Sequence, residues 1–194
     1  ESFETIGPVI GQETTVDAIK AIVVASVLIV LYIAWSFRKV PKPTSSWRFG
    51  ITAILTLLHD ILVLLGLFSL FGHFFHVEID SLFITALLTV MGFSVHDTIV
   101  VFDRIRENLL KNNSVSFPQT VNASILQTLN RSLNTSWTAL LVLISLMLFG
   151  GDSTKWFIIA LIIGIVSGTF SSIFNAAPLL VLWHELDQKR KKKA

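Results

Sequence analysis

The sequence contains no cysteine among its 194 residues, so no disulfide and no thiolate metal site can form. Charge is also scarce. Only 14% of residues are Asp, Glu, Lys or Arg, against about 25% in a soluble globular chain. There is a single tyrosine, and only two methionines. The net charge of +2 is too small, and too unevenly placed, to suggest a nucleic-acid partner. What the sequence has in abundance is hydrocarbon: 53% of residues are hydrophobic and the mean hydropathy is +0.72. These values place the chain in the membrane class.

Five apolar segments approach the ~20 residues needed to cross a hydrocarbon core. They cover about 16–37, 49–71, 81–102, 133–149 and 155–183. The fold class is an all-α polytopic membrane protein. Lys and Arg orient it. Arg38, Lys39, Lys42 and Arg48 follow the first span; Arg104, Arg106, Lys111 and Arg131 separate the third from the fourth; and Lys189, Arg190, Lys191, Lys192 and Lys193 end the chain. All of these fall on the cytoplasmic side if the N-terminus lies outside and the C-terminus inside. Only Lys20 and Lys155 fall towards the other side.

Residues 1–15 are polar, with a turn signal at Gly7-Pro8. They read either as the end of an exported domain or as a disordered tail. The chain starts at Glu1 rather than Met and reads as a fragment or a processed product. Residues 103–132 form a helical cytoplasmic loop. Within it, Asp103, Arg104, Arg106, Glu107 and Asn108 anchor the inner end of the third span, and "SFPQ" at Ser116–Gln119 reads as a capping box with Pro118 in the first turn. Residues 184–194 form a basic tail.

Polar residues inside the spans carry the functional signal. Asp60 follows His59 near the middle of the second span, and Asp97 follows His96 in the inner half of the third. A charge at helix-centre depth costs at least ~2.5–3.5 kcal/mol on insertion scales. Such a carboxyl either handles protons or ions, or stays neutral and hydrogen-bonded for packing. Function is the stronger reading for Asp97; Asp60 divides evenly. His96 shares a face with Thr85, Thr89 and Gly92, about 100° from Asp97, and both His59 and His96 read first as structural residues. In the fourth span Gln127, Thr128, Arg131, Asn134, Thr135 and Thr138 form a polar stripe. It is expected to line a hydrated crevice, with Arg131 at a depth compatible with pairing to Asp97. The competing reading of Arg131 is a side chain snorkelling to lipid phosphates. The fifth span carries Ala160, Gly164, Gly168, Ser172 and Ala176, each four apart, a small-residue stripe for close helix packing. Asn175 and Pro178 are expected to bend it.

The blocks "GFSVHDTIVVFDRIREN", "QTLNRSLNTS", "LFGG" and "IGIVSGTFSSIFNAAPLLVLW" resemble the SecF family of protein-export membrane subunits, as a separate subunit or as the SecF half of a fused SecDF chain. The leading "IGPVIGQE" is similar to the end of that family's periplasmic domain. The resemblance implies five helices of a six-helix RND-type bundle, in the bacterial inner membrane. It implies use of the proton-motive force in protein export, with protons as coupling ion and no other cofactor. The family's proton-titrating carboxylate falls on Asp97 and its arginine on Arg131. The reading of the residues adds Asp60 as a further member of the relay and Asn134, Thr135, Thr138 and His96 as lining of the path. Implied partners are SecD, the SecYEG translocon, YajC, YidC, exported preproteins and the lipid bilayer.

Other functions fit the residues less well. An RND-like exporter of lipids or small molecules shares the buried carboxylate but needs a substrate path outside the membrane. A passive scaffold explains the small-residue stripe but not Asp97. An intramembrane aspartyl protease requires Asp60 and Asp97 at one depth, whereas the span positions set them roughly 9 Å apart along the normal. The histidines lie at different depths, which disfavours a metal site. No enzymatic activity is expected.

Overall fold

The computed structural model describes residues 8–38, 45–111 and 115–193. They are helical almost throughout, with no strand among them. Helix α1 spans Pro8–Ser36, α2 Ser46–Phe75, α3 Ser81–Lys111, α4 Phe117–Phe149, α5 Lys155–Ser171 and α6 Ala177–Lys193. A short 3-10 turn, Asp152–Thr154, precedes α5, and a π-helix, Ser172–Ala176, joins α5 to α6. Five helical spans are long and apolar enough to cross a membrane, the last running through α5, the π-helix and α6.

The helix ends follow local chemistry. Helix α2 stops where His76 takes a left-handed conformation (φ 54°) and donates its N–H to the Gly72 carbonyl, a closing geometry that satisfies an otherwise orphaned acceptor. Helix α4 starts at Ser116, but the Ser116 hydroxyl makes no capping hydrogen bond. The expected capping box is therefore absent as a side-chain device. Pro118 in the first turn and the Thr120 N–H to Ser116 carbonyl bond begin the helix instead. Of the turn expected at Gly7-Pro8, Gly7 lies outside the described residues, and the chain is helical from Pro8. Lys39 and Lys42 also lie outside them.

Helices α3 and α5 form the central pair. Gly164 lies against Val90, and Gly168 against Ser94, whose Cβ would sit 3.0 Å from an added methyl. The small-residue stripe of Ala160, Gly164, Gly168, Ser172 and Ala176 is buried along its length. Its partner at the two glycines is α3 of the same chain, a choice the sequence left open. Residues four apart drift about 40° per step around an α-helix. The π-helix after Ser171 inserts an extra residue into the turn and keeps Ser172 and Ala176 on the packed side. Pro178 accounts for its position: it offers no N–H to the Phe174 carbonyl, and its ring would crowd that carbonyl in an unbroken α-helix.

Helices α2 and α4 each pack on both members of the central pair. At one end of the bundle Phe37 stacks on Phe49 (centroids 5.3 Å apart), and Phe102 meets both edge-on. Arg106 lies over Phe37 and donates to the Ser36 carbonyl at 3.2 Å. At the other end Phe68, Phe71, Phe75 and Trp156 form a second aromatic cluster.

Candidate functional site

The central pair and its two flanking helices enclose two carboxyl groups. Asp60 on α2 is 1% exposed and Asp97 on α3 is 2% exposed. Both satisfy the rule that a buried polar group finds hydrogen-bond partners, and both find them mainly in hydroxyls.

Asp97 accepts a hydrogen bond from the Thr169 hydroxyl at 3.2 Å. Thr169, on α5, also shares a 2.5 Å hydrogen bond with Ser136 on α4. One threonine therefore links α3, α5 and α4. His96 and Arg131 are the basic groups near enough to act on Asp97's charge. Among the described residues, neither forms an ion pair with it. Arg131 lies on the exposed side of α4.

Asp60 sits in a denser cage. It accepts from Ser94 on α3 at 2.5 Å, and from Ser171 and Ser167 on α5 at 2.6 and 3.1 Å. The ring Nδ1 of His59 lies 3.1 Å from its other side. Ser94 precedes Asp97 by three residues on α3, which places the two networks about 4.5 Å apart along that helix. They share no hydrogen bond.

The polar residues of α4 divide between two faces. The buried hydroxyls are Thr120, Ser124, Thr128, Ser132 and Ser136, each four residues from the next. Of the expected crevice residues only Thr128 is among them; Gln127, Arg131, Asn134, Thr135 and Thr138 are exposed in this chain. Periodicity gave the phase of a polar face but not which of two adjacent polar faces packs. These side chains are small enough to pack, and all but Ser132 can bond back into their own helix, as Ser124 does to the Thr120 carbonyl at 2.7 Å. On α3, His96 is exposed with Thr85, Thr89 and Gly92, a separate face from Asp97.

The charged block after Asp97 makes local contacts and four inter-helix hydrogen bonds. Asp103 and Glu107 pair with Arg106 and Arg104 one turn away. Arg104 and Asn108 both donate to Gln127 of α4, at 2.6 and 2.9 Å, and Asn108 also donates to Ser124 at 2.8 Å. Arg106 ties α3 to the end of α1, as described above.

Sequence reasoning missed Ser94, Ser136, Ser167, Thr169 and Ser171. The available signal was the four-residue spacing of Ser167 and Ser171, and of Thr128, Ser132 and Ser136, inside otherwise apolar helices. No group of three or more His, Asp and Glu residues fit for a metal occurs among the described residues.

A family model described as "Protein export membrane protein SecD/SecF, C-terminal" matches residues 1–186. The Protein translocase subunit SecF of Thermobaculum terrenum is 57% identical over 185 residues, covering 95% of this chain and 57% of that protein. The SecF of Anaerolinea thermophila is 45% identical, covering 93% of this chain and 58% of that protein. The chain thus spans a little over half the length of these relatives. A crystal structure of SecDF in a super-membrane-facing form superposes with a TM-score of 0.82 at 37% identity, covering 97% of this chain and 24% of that one. A SecDF structure from a Thermus species gives the same TM-score at 39% identity, over 93% of this chain and 23% of that one. The chain belongs to the SecD/SecF family of protein-export membrane proteins.

Proposed function

We propose that this chain is the membrane-embedded part of a SecF-type translocase subunit, and that it converts proton movement into conformational work during protein export. Its site is Asp97, with Arg131 as counter-ion in one state of the cycle and Asp60 as a further relay residue. The reading places it in the bacterial cytoplasmic membrane, with the N-terminal end of α1 outside and the C-terminal end of α6 inside. Its partners are SecD, as a separate subunit or a fused half, and the SecYEG translocon, with YajC and YidC as further associates and preproteins as cargo. The exposed polar surface of α3 and α4, with His96, Arg131, Asn134, Thr135 and Thr138, is unsuited to lipid and is the face we assign to the SecD half.

One observation carries this reading: among the described residues, Asp97 is buried within an apolar bundle and held by a single hydroxyl, with the charge of Arg131 acting on it but no ion pair formed. An ionised carboxylate there draws Arg131 inward. A protonated one donates to a neighbouring oxygen and releases the arginine. A proton crossing ~100 mV yields ~2.3 kcal/mol, and one pH unit adds ~1.4 kcal/mol. Together these fall short of the ~5.5 kcal/mol that swings an equilibrium from 1:99 to 99:1. One proton therefore drives a bundle whose two states are already nearly balanced.

The test is Asp97→Asn in the full-length protein. Export into inverted membrane vesicles should lose its dependence on the proton-motive force while its ATP-driven part remains. Unchanged export and unchanged proton flux would refute the assignment.

A further inference from the structure

The caged carboxylate Asp60 has an access route of its own. His59, beside Asp60, has a side chain 46% exposed. Its ring forms one wall of a groove of about 410 Å³ between α2 and the π-helix–α6 segment, with Thr56, Asn175 and Pro178 also lining it. Leu179 and Leu182 line this groove and also a second one, of about 370 Å³, that reaches Asp187 and Arg190 near the end of α6. The two grooves adjoin at these leucines, between His59 and the charged end of the bundle.

The hydrogen bonds around His59 have a direction. Ionised Asp60 can only accept, so Nδ1–H of His59 donates to it at 3.1 Å. Nε2 is then free to accept, and the Asn175 amide lies 3.4 Å from both ring nitrogens. Imidazole in this position can take a proton at Nε2 from the groove while releasing the Nδ1 proton to the Asp60 carboxylate. One proton leaves water and one arrives on Asp60. The starting tautomer returns by the reverse transfer, when Asp60 gives its proton back to Nδ1 and Nε2 releases one to the groove.

The remaining surroundings of Asp60 are uncharged. The α3 side offers Ser94 and the α5 side Ser167 and Ser171, while Asn175 of the π-helix faces the His59 ring. Helices α1 and α6 bring no charged side chain into its hydrogen bonds among the described residues. Asp97, one turn along α3 from Ser94, is held by Thr169 instead. Among the described residues, His59 is the titratable hydrogen-bond partner of Asp60 and the most exposed one, with Ser167 half-buried.

We propose that Asp60 is a second protonation site, loaded through His59 from the α2–α6 groove and separate in access from Asp97. The proposal rests on the reading of the chain as proton-coupled, but concerns a different carboxyl and a different entrance.

The experiment uses the full-length protein in lipid bilayers. Infrared difference spectra between acid and alkaline pH should show two protonated-carboxyl bands. Asp97→Asn should remove one and Asp60→Asn the other, and Ser171→Ala should shift only the Asp60 band. His59→Gln should leave the Asp60 band in place but slow its appearance after a pH jump by about a hundredfold, the lower range for a positioned proton-transfer group. The absence of cysteine from this chain permits a further check: in a cysteine-free background, Leu179→Cys should react with a charged, membrane-impermeant thiol reagent applied at the C-terminal side. An Asp60 band that does not change with pH, a His59→Gln variant that loads as fast as the parent, or an unreactive Leu179→Cys would each overturn the proposal. The Asp97 band and Asp97→Asn export are read separately, so failure of the proton-coupled reading of Asp97 is distinguishable from failure at Asp60.

Discussion

Asp97 on α3 is tied to Ser136 on α4 through one side chain, Thr169, which donates to the carboxylate at 3.2 Å and lies 2.5 Å from the serine hydroxyl. A change in the charge of Asp97 is therefore felt first by a hydroxyl that also holds α4, the helix bearing Arg131.

Thr169→Val keeps the volume and removes the hydroxyl. The cost in stability should be about 1–3 kcal/mol, since the Ser136 hydroxyl loses one of its partners. The larger effect should fall on proton-driven export, which Thr169→Ser should restore. Thermal unfolding in detergent and vesicle export, measured on the same three proteins, separate the two effects.

Gly164 packs so closely on Val90 that an added methyl would overlap the valine side chain. Gly164→Ala should destabilise the bundle by about 1–3 kcal/mol, the usual cost of overpacking. Val90→Ala in the same chain should recover much of the loss. Additive destabilisation in the double variant would show that the two residues are not in contact.

Arg48 at the start of α2 pairs with Asp187 near the end of α6, both partly shielded from solvent. Arg48→Asp should lower the melting temperature, and the exchanged pair Arg48→Asp with Asp187→Arg should regain it. The coupling is expected to be on the order of 1 kcal/mol, because neither group is fully removed from water.

Asn108 joins α3 to Ser124 and Gln127 of α4. Asn108→Leu should raise amide hydrogen exchange over residues 117–127 while leaving exchange in α5 unchanged. Equal increases in both helices would mean that the bundle loosens as a whole, contrary to the local tie described above.

Much of the architecture was legible from composition and spacing. Five apolar stretches, the charge that follows the third, and the four-residue spacing of Ala160, Gly164 and Gly168 all report properties of a single helix. Asp60 and Asp97 were conspicuous because a carboxylate in an apolar run carries a desolvation cost that needs a reason. The hydroxyls that meet that cost were not conspicuous. Ser94, Ser167, Ser171 and Thr169 are ordinary residues in transmembrane helices, able to bond back to their own backbone, and their spacing has meaning only once α2, α3 and α5 are side by side.

The sequence by itself determined that the chain is helical and built for hydrocarbon, because length, hydropathy and helical period are local quantities. Tertiary structure decided which side of each helix packs. It turned Thr128, Ser132 and Ser136 inward and left Arg131, Asn134, Thr135 and Thr138 outside. It set Gly164 against Val90, and it gave Asp60 three serines and a histidine while giving Asp97 a single threonine. The physical reason is that an interface depends on the crossing of two helices. Their relative rotation follows from packing small residues against large ones, and no residue carries that information within its own span.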